Sequence, residues 1–521
     1  MRACPNCGGG LVFDIPSQGL KCPSCSSKFA VGEIADKSMA KADDSMDAMI
    51  FTCPQCGGSV WSTSETAAGF CSFCGASVQL QGRMSEEKAP KTIVPFKLTK
   101  EECAKKFREH VKSYLFSPGD LSKSDANLEF RGIYMPYWDY TVHQKAHVER
   151  QYRDEHRSGD YRIVSDYQFD LDLDDDIKSI QHDASNSFED EIGLAIAPFE
   201  PGDEKEFDSG YMEGFYGDVA DTSWEDYADF ALTEAAEQTE KVINGKTQGV
   251  RTDNGPRGNE EFGGAISEKH LALFPVWFMS YRSGNRVAYT AVNGQTGRVF
   301  VDLPVDFGKF FGITGILTVI FYIACSFFLA PTPQTDVLIA MVLSMAASFI
   351  FSILTERILN RESSFEGAPG QAKGNNKKKN DKDGSGSKGR IIRTIIIGGL
   401  VIPIILFLVF LFFGFVALEI GTILISLWAF LVYLRRKPDF AKKEGTELFP
   451  APLLSMIAGV LGLIVVVLNP VSDFWYYGIT TLAMAAAALS LITVLGMRNL
   501  LSTRRLPEFD THKGGDHRAR G

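Results

Sequence analysis

The chain has 521 residues, enough for several domains, and carries 53 Lys and Arg against 64 Asp and Glu, a net charge of −11. Its mean hydropathy of −0.03 averages two unlike parts. Residues 1–305 have a net charge of −18 and residues 306–521 one of +7, and long apolar runs begin at the border. The acidic excess of the first part disfavours a general affinity for polyanions.

Two cysteine patterns of the same form open the chain. Each has two CxxC pairs separated by fourteen residues, in CPNCGGGLVFDIPSQGLKCPSC and in CPQCGGSVWSTSETAAGFCSFC. A CxxC turn directs two thiolates to one point, and two such turns supply four soft ligands at the corners of a tetrahedron, the arrangement zinc prefers. The pattern predicts two zinc ions, one held by Cys4, Cys7, Cys22 and Cys25 and the other by Cys53, Cys56, Cys71 and Cys74.

The alternative for these cysteines is a disulfide framework. Disulfides need an oxidising compartment, whereas no cleavable signal peptide is expected at the start of the chain, which favours metal-bound thiolates in a reducing cytosol. The remaining cysteines, Cys103 and Cys325, stand singly in apolar helical patterns and are expected to be core residues.

The expected organisation is multidomain. Each ribbon, at about 25 residues, is too small for a self-sufficient core, so metal should supply most of its folding free energy. Polar linkers predict that each ribbon moves separately. The predicted segments are ribbon 1 at 1–30, a flexible linker at 31–50, ribbon 2 at 51–80, a cytosolic α+β domain at 92–305, a transmembrane region at 306–498 and a cytoplasmic tail at 499–521.

The 92–305 segment mixes helix and strand signals. Thr99 and Glu102 form a capping box before a helical apolar pattern, and Ser223 caps an Ala-rich helix. The stretch GIYMPYWDYTVHQKAHVERQYR predicts a long strand or hairpin, and FMSYRSGNRVAYTAVNGQTGRVFVDLP predicts a three-stranded meander. GIYMPYWDY and LALFPVWFMSY share an apolar-Pro-apolar-Trp core, through either duplication or chance, and Pro136 and Pro275 are expected at a strand start or edge.

Two further patterns resemble metal-binding motifs. His143, Lys145 and His147 alternate along one strand face, but nothing nearby in sequence completes a ligand set, so a solvated face is favoured. DLDLDDD at 170–176 lacks the Gly and Glu of a calcium loop and predicts a half-exposed strand. Since no phosphate loop, nucleophile elbow or HExxH helix occurs, the protein is expected not to be an enzyme.

The apolar runs predict six membrane spans, each long enough for a ~30 Å hydrocarbon layer. They lie near 308–330, 337–355, 393–413, 416–434, 451–469 and 474–496. The loops assigned to the outside lack Lys and Arg, whereas a Lys-rich loop at 356–392, the RRKPDFAKK loop and the tail are basic. The positive-inside rule then predicts a multi-pass inner-membrane protein with both termini in the cytoplasm.

Two alternative functions remain open from the residues. A transporter or channel with a regulatory cytosolic domain would give a role to Glu419, an ionisable residue in or beside a predicted span. A membrane-tethered nucleic-acid-binding protein would use the ribbons. However, ribbon 2 has no Lys or Arg between Cys53 and Leu80, which makes nucleic acid a poor partner.

The order of motifs resembles a family of bacterial zinc-ribbon membrane proteins, those labelled with a TFIIB-type or primosomal-helicase-like zinc ribbon. The motifs are the ribbons, VPFKLTKEECAKKF, SPGDL, RGIYMPYWDY, GYMEGFYGD and FPVWFMSYRSGNRVAYTAVNGQTGRVFVDLP, over about residues 50–310. The resemblance implies association with a flotillin-like SPFH protein and recruitment of phage-shock protein A under envelope stress. It predicts a non-enzymatic membrane scaffold that docks proteins at a lipid bilayer, as a homo- or hetero-oligomer. The second ribbon and the Lys-rich loop depart from the family.

Overall fold

The computed structural model divides the chain into two compact units. The sheet unit comprises Met1–His110 and Asn127–Val301, and the helical unit comprises Val111–Ala126 and Asp302–Arg505. Each unit is described by itself. The structure describes residues 2–34, 45–62, 68–71, 73–74, 77–79, 81–122, 129–158, 160–185, 187, 190–283, 286–328, 332–364, 420–438 and 451–505.

Ribbon 1 is a three-stranded antiparallel sheet. Its strands are β1 (Val12–Asp14), β2 (Gly19–Lys21) and β3 (Lys28–Phe29). The turn between β1 and β2 is closed by Asp14, whose carboxylate accepts a hydrogen bond from the Ser17 amide at 3.3 Å. Leu11 and Leu20 are fully buried between the two cysteine turns. This small core agrees with a fold that depends on metal for stability.

Ribbon 2 belongs to the main sheet of the sheet unit. Its strands β4 (Ser45–Thr52), β5 (Ser59–Ser62) and the following β8 (Gln81–Lys88) lie in that sheet, whereas β6 (Ala68–Phe70) and β7 (Ser77–Gln79) pair with each other in a separate two-stranded sheet. Strand β4 pairs with β5 and β8, and β5 pairs with the later strand β13 (Tyr216–Asp218) through Trp61 opposite Gly217. The segment expected as a linker at 31–50 therefore contains the start of β4. Contrary to our expectation, ribbon 2 is not an independently moving module, because long-range strand pairing joins it to the sheet.

Long strands form the centre of this sheet. The remaining strands are β9 (Thr92–Ile93), β10 (Arg131–Ser158), β11 (Tyr161–Asp183), β12 (Lys205–Glu206), β14 (Val250–Arg251), β15 (Ala265–Ser283), β16 (Arg286–Asn293) and β17 (Val299–Val301). The central order is β12-β9-β15-β10-β13-β5-β4-β8, with β11 also paired to β10 and β16 to β15. Strands β15, β16 and β17 form the predicted meander.

The two Pro-containing motifs pair with each other. Strands β10 and β15 are antiparallel, with Tyr134 opposite Pro275 and Pro136 opposite Leu273. The expectation of a strand start or edge was wrong. Pro136 lies where the other neighbour of β10 changes from β13 to β11, and Pro275 lies where that of β15 changes from β9 to β16. At such a change of partner a missing amide hydrogen breaks no continuous ladder.

Beyond the central sheet, β10 and β11 continue as a long hairpin. We call 143–158 of β10 with 161–176 of β11 the hairpin arm, which is about 50 Å long at ~3.3 Å per residue. Its residues alternate in burial: Gln144, Val148, Arg150 and Tyr152 are buried, and Ala146 on the same face is partly buried, whereas residues 145, 147, 149 and 151 are exposed. Val148 packs against Ala236, Ile243 and Phe262. The predicted half-exposed strand at 170–176 is confirmed as part of β11.

Four helices accompany the sheet: α1 (Lys100–Lys112), α2 (Asp190–Ile196), α3 (Ala228–Lys246) and α4 (Asn259–Phe262). The capping box of α1 is confirmed, since the Thr99 amide donates to Glu102 at 2.8 Å and the Glu102 amide donates to Thr99 Oγ1 at 3.3 Å. Helix α3 begins one turn later than expected because a 3₁₀ turn, Trp224–Tyr227, follows Ser223. Cys103 is fully buried, as expected of a core residue.

The helical unit contains α5 (Phe307–Phe328), α6 (Pro333–Ser364), α7 (420–438), α8 (Ala451–Leu468) and α9 (Asp473–Leu501). Helices α6, α8 and α9 pack together. Ser455 of α8 lies 2.7 Å from Ser344 Oγ and accepts a hydrogen bond from Ser348 at 2.6 Å. Small hydroxyl residues at a helix contact allow close approach and satisfy each other, as between helices in lipid.

The expectation of six membrane spans is not met by the described residues. Two helices there are long and apolar enough to cross a membrane, Pro333–Leu359 and Asp473–Leu501. The apolar stretches Phe307–Leu317 and Pro452–Leu468 are shorter, below the ~20 residues a ~30 Å layer needs. The span predicted at 393–413, the Lys-rich loop from residue 365 onward and Glu419 lie outside the described residues. Length and composition alone also fit a buried helix of a soluble protein.

Candidate metal centres

Each cysteine pattern folds into a pair of tight turns. In ribbon 1 the Gly8 amide donates to the Cys4 carbonyl and the Ser26 amide to the Cys22 carbonyl, both at 2.8 Å. In ribbon 2 the Gly57 amide donates to the Cys53 carbonyl at 2.8 Å. Gly8 and Gly57 have φ values of +73° and +78°, which is why glycine follows the second cysteine in CPNCG and CPQCG. The turns leave both thiols of a pair on one side.

The sulfur positions fit a tetrahedral ion. Cys4 and Cys25 Sγ are 3.6 Å apart and Cys7 and Cys22 Sγ 3.4 Å apart. The corresponding distances in ribbon 2 are 3.9 Å for Cys53–Cys74 and 3.6 Å for Cys56–Cys71. A tetrahedron with Zn–S bonds of about 2.3 Å has edges of about 3.8 Å, and a disulfide would measure only about 2.05 Å. Both four-cysteine groups can hold a metal ion, and the donor set is consistent with zinc.

The two sites differ in burial. All four ligand candidates of ribbon 2 are buried, and they share a hydrophobic cluster with Ile133, Tyr137 and Phe274 of the central sheet. The Tyr289 hydroxyl donates to the Phe73 carbonyl at 2.6 Å, and Trp61 Nε1 donates to the Asp218 carbonyl at 3.0 Å. A metal at this site would stabilise the core of the whole sheet unit.

In ribbon 1, by contrast, Cys7 and Cys25 are exposed. Residues 5–8 and 23–26, the two CPxC turns, all face solvent. The opposite side of the ribbon is docked on the sheet unit by Arg2, whose guanidinium contacts Asp208 at 2.7 Å, and by the Phe13 ring, 5.4 Å from that of Tyr211. The Arg2 amide also donates to Glu213 at 3.0 Å. Ribbon 1 is thus a docked module whose metal-binding end points outward, and not the freely moving one that we expected.

The hairpin arm joins the two motifs that sequence reasoning kept apart. Residues 143–147 of β10 lie opposite residues 172–176 of β11. His143 Nδ1 lies 2.9 Å from Asp176, Lys145 Nζ 2.7 Å from Asp174 and His147 Nδ1 2.7 Å from Asp172. The ammonium of Lys145 lowers the pKa of Asp174 through this hydrogen bond. The missing carboxylates of the alternating motif are therefore supplied by the partner strand.

A sequence signal for this pairing exists. The Gly-Asp dipeptide at 159–160 is a sequence typical of two-residue hairpin turns, and a turn there would set the register in which His147 faces Asp172. His147, Glu149 and Asp170 can each place one ligand atom within 4.8 Å of the others, and all three side chains are exposed.

Buried carboxylates occur in the centre of the sheet unit. Burial, reinforced by the nearby Glu204 charge, raises the pKa of Asp139 to about 7. Burial also raises the pKa of Asp218 to about 7. For Glu204 burial acts in the same direction, but hydrogen bonds from His270 and Thr92 outweigh it and lower the pKa. Asp139 and Asp218 therefore change charge near neutral pH.

The geometry defines a class of protein: two Cys4 clusters of zinc-ribbon type on an α+β sheet unit, followed by apolar helices. The chain is similar to the uncharacterized protein YdjG of Bacillus subtilis (strain 168), with 27% identity over 329 residues that cover 60% of this chain and 93% of the relative. No protein-family model and no solved structure matches the chain. This similarity to an uncharacterized protein assigns no activity to the chain.

Proposed function

We propose that this protein is a non-enzymatic membrane scaffold that binds two zinc ions and docks partner proteins through ribbon 1. The observation that carries the proposal is the contrast between the two Cys4 clusters. The turns at 5–8 and 23–26 of ribbon 1 are exposed, whereas the ligands of ribbon 2 lie in the core. Because metal would hold ribbon 1 rigid and the ribbon is docked on the sheet unit, binding a partner there would cost little conformational entropy.

This assignment divides the work between the ribbons. Zinc in ribbon 2 holds the sheet unit together, and zinc in ribbon 1 shapes the contact surface. The two ribbons are not equivalent docking surfaces, because in its first turn ribbon 2 offers only Pro54 and Gln55 as exposed residues.

Anchoring in a bilayer is the second part of the proposal. The helices Pro333–Leu359 and Asp473–Leu501 support it by length and composition. The basic connecting segments favour an inner-membrane protein with the sheet unit in the cytoplasm. The resemblance in motif order suggests a flotillin-like SPFH protein or phage-shock protein A as partner, within a homo- or hetero-oligomeric assembly.

The test compares equivalent positions in the two CPxC turns. Asn6→Arg places a charge on the exposed turn of ribbon 1, and Gln55→Arg places the same charge on ribbon 2. We expect chemical cross-linking with mass spectrometry in native membranes to recover partner proteins from wild type and Gln55→Arg, and fewer from Asn6→Arg.

Equal recovery from both variants would contradict docking through ribbon 1. Recovery of mainly nucleic acid, weakening steeply as salt rises, would replace the scaffold with the nucleic-acid-binding alternative.

A further inference from the structure

The outer face of the hairpin arm carries a ladder of cross-strand pairs between histidine, lysine and aspartate. Its rungs differ in charge. At the rung of Lys145 the ammonium lies 2.7 Å from Asp174 and neutralises it. His143 stands between Asp176 and Asp174, with ring nitrogens 2.9 Å and 3.5 Å from their carboxylates. In this part of the ladder each of the two carboxylates already has a partner on the opposite strand, the Lys145 ammonium or the His143 ring.

The next rung is different because Glu149 occupies the position, two residues after the histidine, that Lys145 occupies after His143. His147 Nε2 lies 3.3 Å from Glu149 Oε1 and 3.2 Å from Asp170 Oδ1. Its Nδ1 lies 2.7 Å from Asp172. Three carboxylates thus surround one imidazole.

We propose that His147 Nε2, Glu149 and Asp170 form a third metal site, which takes a divalent transition cation such as Mn²⁺ or Zn²⁺. The imidazole nitrogen and carboxylate oxygens suit these ions, and water would fill the remaining positions. This site would bind its ion through nitrogen and oxygen ligands, whereas the ribbons would bind theirs through thiolate sulfurs.

Asp172 gives the site a positioning residue. By accepting the Nδ1–H of His147, its carboxylate fixes the tautomer in which Nε2 presents a lone pair toward Glu149 and Asp170. Such carboxylate–histidine pairs behind a metal orient the ring and increase its basicity, and their loss commonly weakens metal binding about 10–100-fold.

The alternative is that His147 is protonated and simply forms ion pairs on a polar strand face. All three ligand candidates are more than half exposed, with side-chain exposures of 55% for His147, 62% for Glu149 and 54% for Asp170. A metal site and a set of ion pairs can be distinguished by the stoichiometry of metal binding and by the effect of single substitutions on the metal affinity.

The experiment uses the full-length protein with zinc in its ribbons, titrated with MnCl₂ and followed by electron paramagnetic resonance. Mn²⁺ prefers oxygen and nitrogen ligands and competes poorly for thiolates. We expect one bound Mn²⁺ in wild type, at least a tenfold loss of affinity in His147→Ala and in Asp170→Asn, and a loss of about 10–100-fold in Asp172→Asn. His143→Ala is the matched control and should bind as wild type does.

Circular dichroism and zinc content establish that each variant is folded. Absence of saturable Mn²⁺ binding in wild type would overturn the proposal. An equal loss in His143→Ala would also overturn it, because that result indicates diffuse attraction to an acidic surface.

Discussion

Replacing one cysteine in each ribbon should have very different consequences for the sheet unit. Cys53→Ser removes a ligand candidate that is 1% exposed and belongs to the core cluster of the central sheet. Cys7→Ser makes the same chemical change at an exposed position. If each variant loses its zinc, ribbon 1 loses only its own fold, whereas ribbon 2 takes part of the main core with it.

The magnitude follows from the binding free energy of structural zinc, about 10–16 kcal/mol in small ribbons at neutral pH. A whole domain is stable by only about 5–15 kcal/mol. If half of the lower value is lost, the deficit of about 5 kcal/mol lowers the Tm of a domain of this size by roughly 10–20 °C. For Cys7→Ser we expect at most about 1 kcal/mol, a change of about 2–4 °C.

Thermal unfolding of the full-length protein, followed by tryptophan fluorescence, measures both effects, because Trp61, Trp138 and Trp277 are buried in the sheet unit. Zinc content of each variant is measured in parallel. Equal, small shifts in Tm for the two variants, with one zinc ion lost from each, would refute the reasoning, since ribbon 2 would then be separable from the core.

Two further predictions concern buried charges. Burial raises the pKa of Asp218 from 3.8 to about 7, so the stability that this carboxyl contributes is fully present below about pH 4 and is lost as the pH rises to about 7. The stability of Asp218→Asn relative to wild type, measured by denaturant titrations, should therefore rise by up to about 4 kcal/mol between pH 4 and pH 8. A pH-independent difference between the two proteins would count against this prediction. Arg150 is 1% exposed and donates to Glu240 and Glu261, so Arg150→Ala should lower the free energy of unfolding by about 3–5 kcal/mol. Arg153→Ala, at the exposed pair with Asp166, should lower it by at most about 1 kcal/mol. Similar unfolding midpoints for the two variants would show that the Arg150 network is not desolvated.

Local sequence patterns predicted the parts of this molecule that local chemistry determines. The CxxC spacing indicated which cysteines come together, because each turn closes within five residues. The capping box at Thr99 and the meander from Phe278 onward could also be predicted, since both depend on neighbouring residues.

Contacts between residues far apart in the sequence could not be predicted from local patterns. The pairing of Trp61 with Gly217 places ribbon 2 in the sheet, and nothing in CPQCGGSVW indicates it. The change of strand partners at Pro136 and Pro275 likewise depends on the whole topology. The ladder of the hairpin arm depends on the register between β10 and β11, which the alternating motifs do not define by themselves, although the Gly-Asp dipeptide at 159–160 predicts the turn that sets it.

The most direct test of the scaffold assignment is a photo-crosslinking amino acid in place of Asn6, on the exposed turn of ribbon 1, in the full-length protein in native membranes. The account predicts discrete protein adducts at position 6 and none, or far fewer, when the same amino acid replaces Gln55. Adducts with nucleic acid at position 6, or the same protein adducts at both positions, would contradict it.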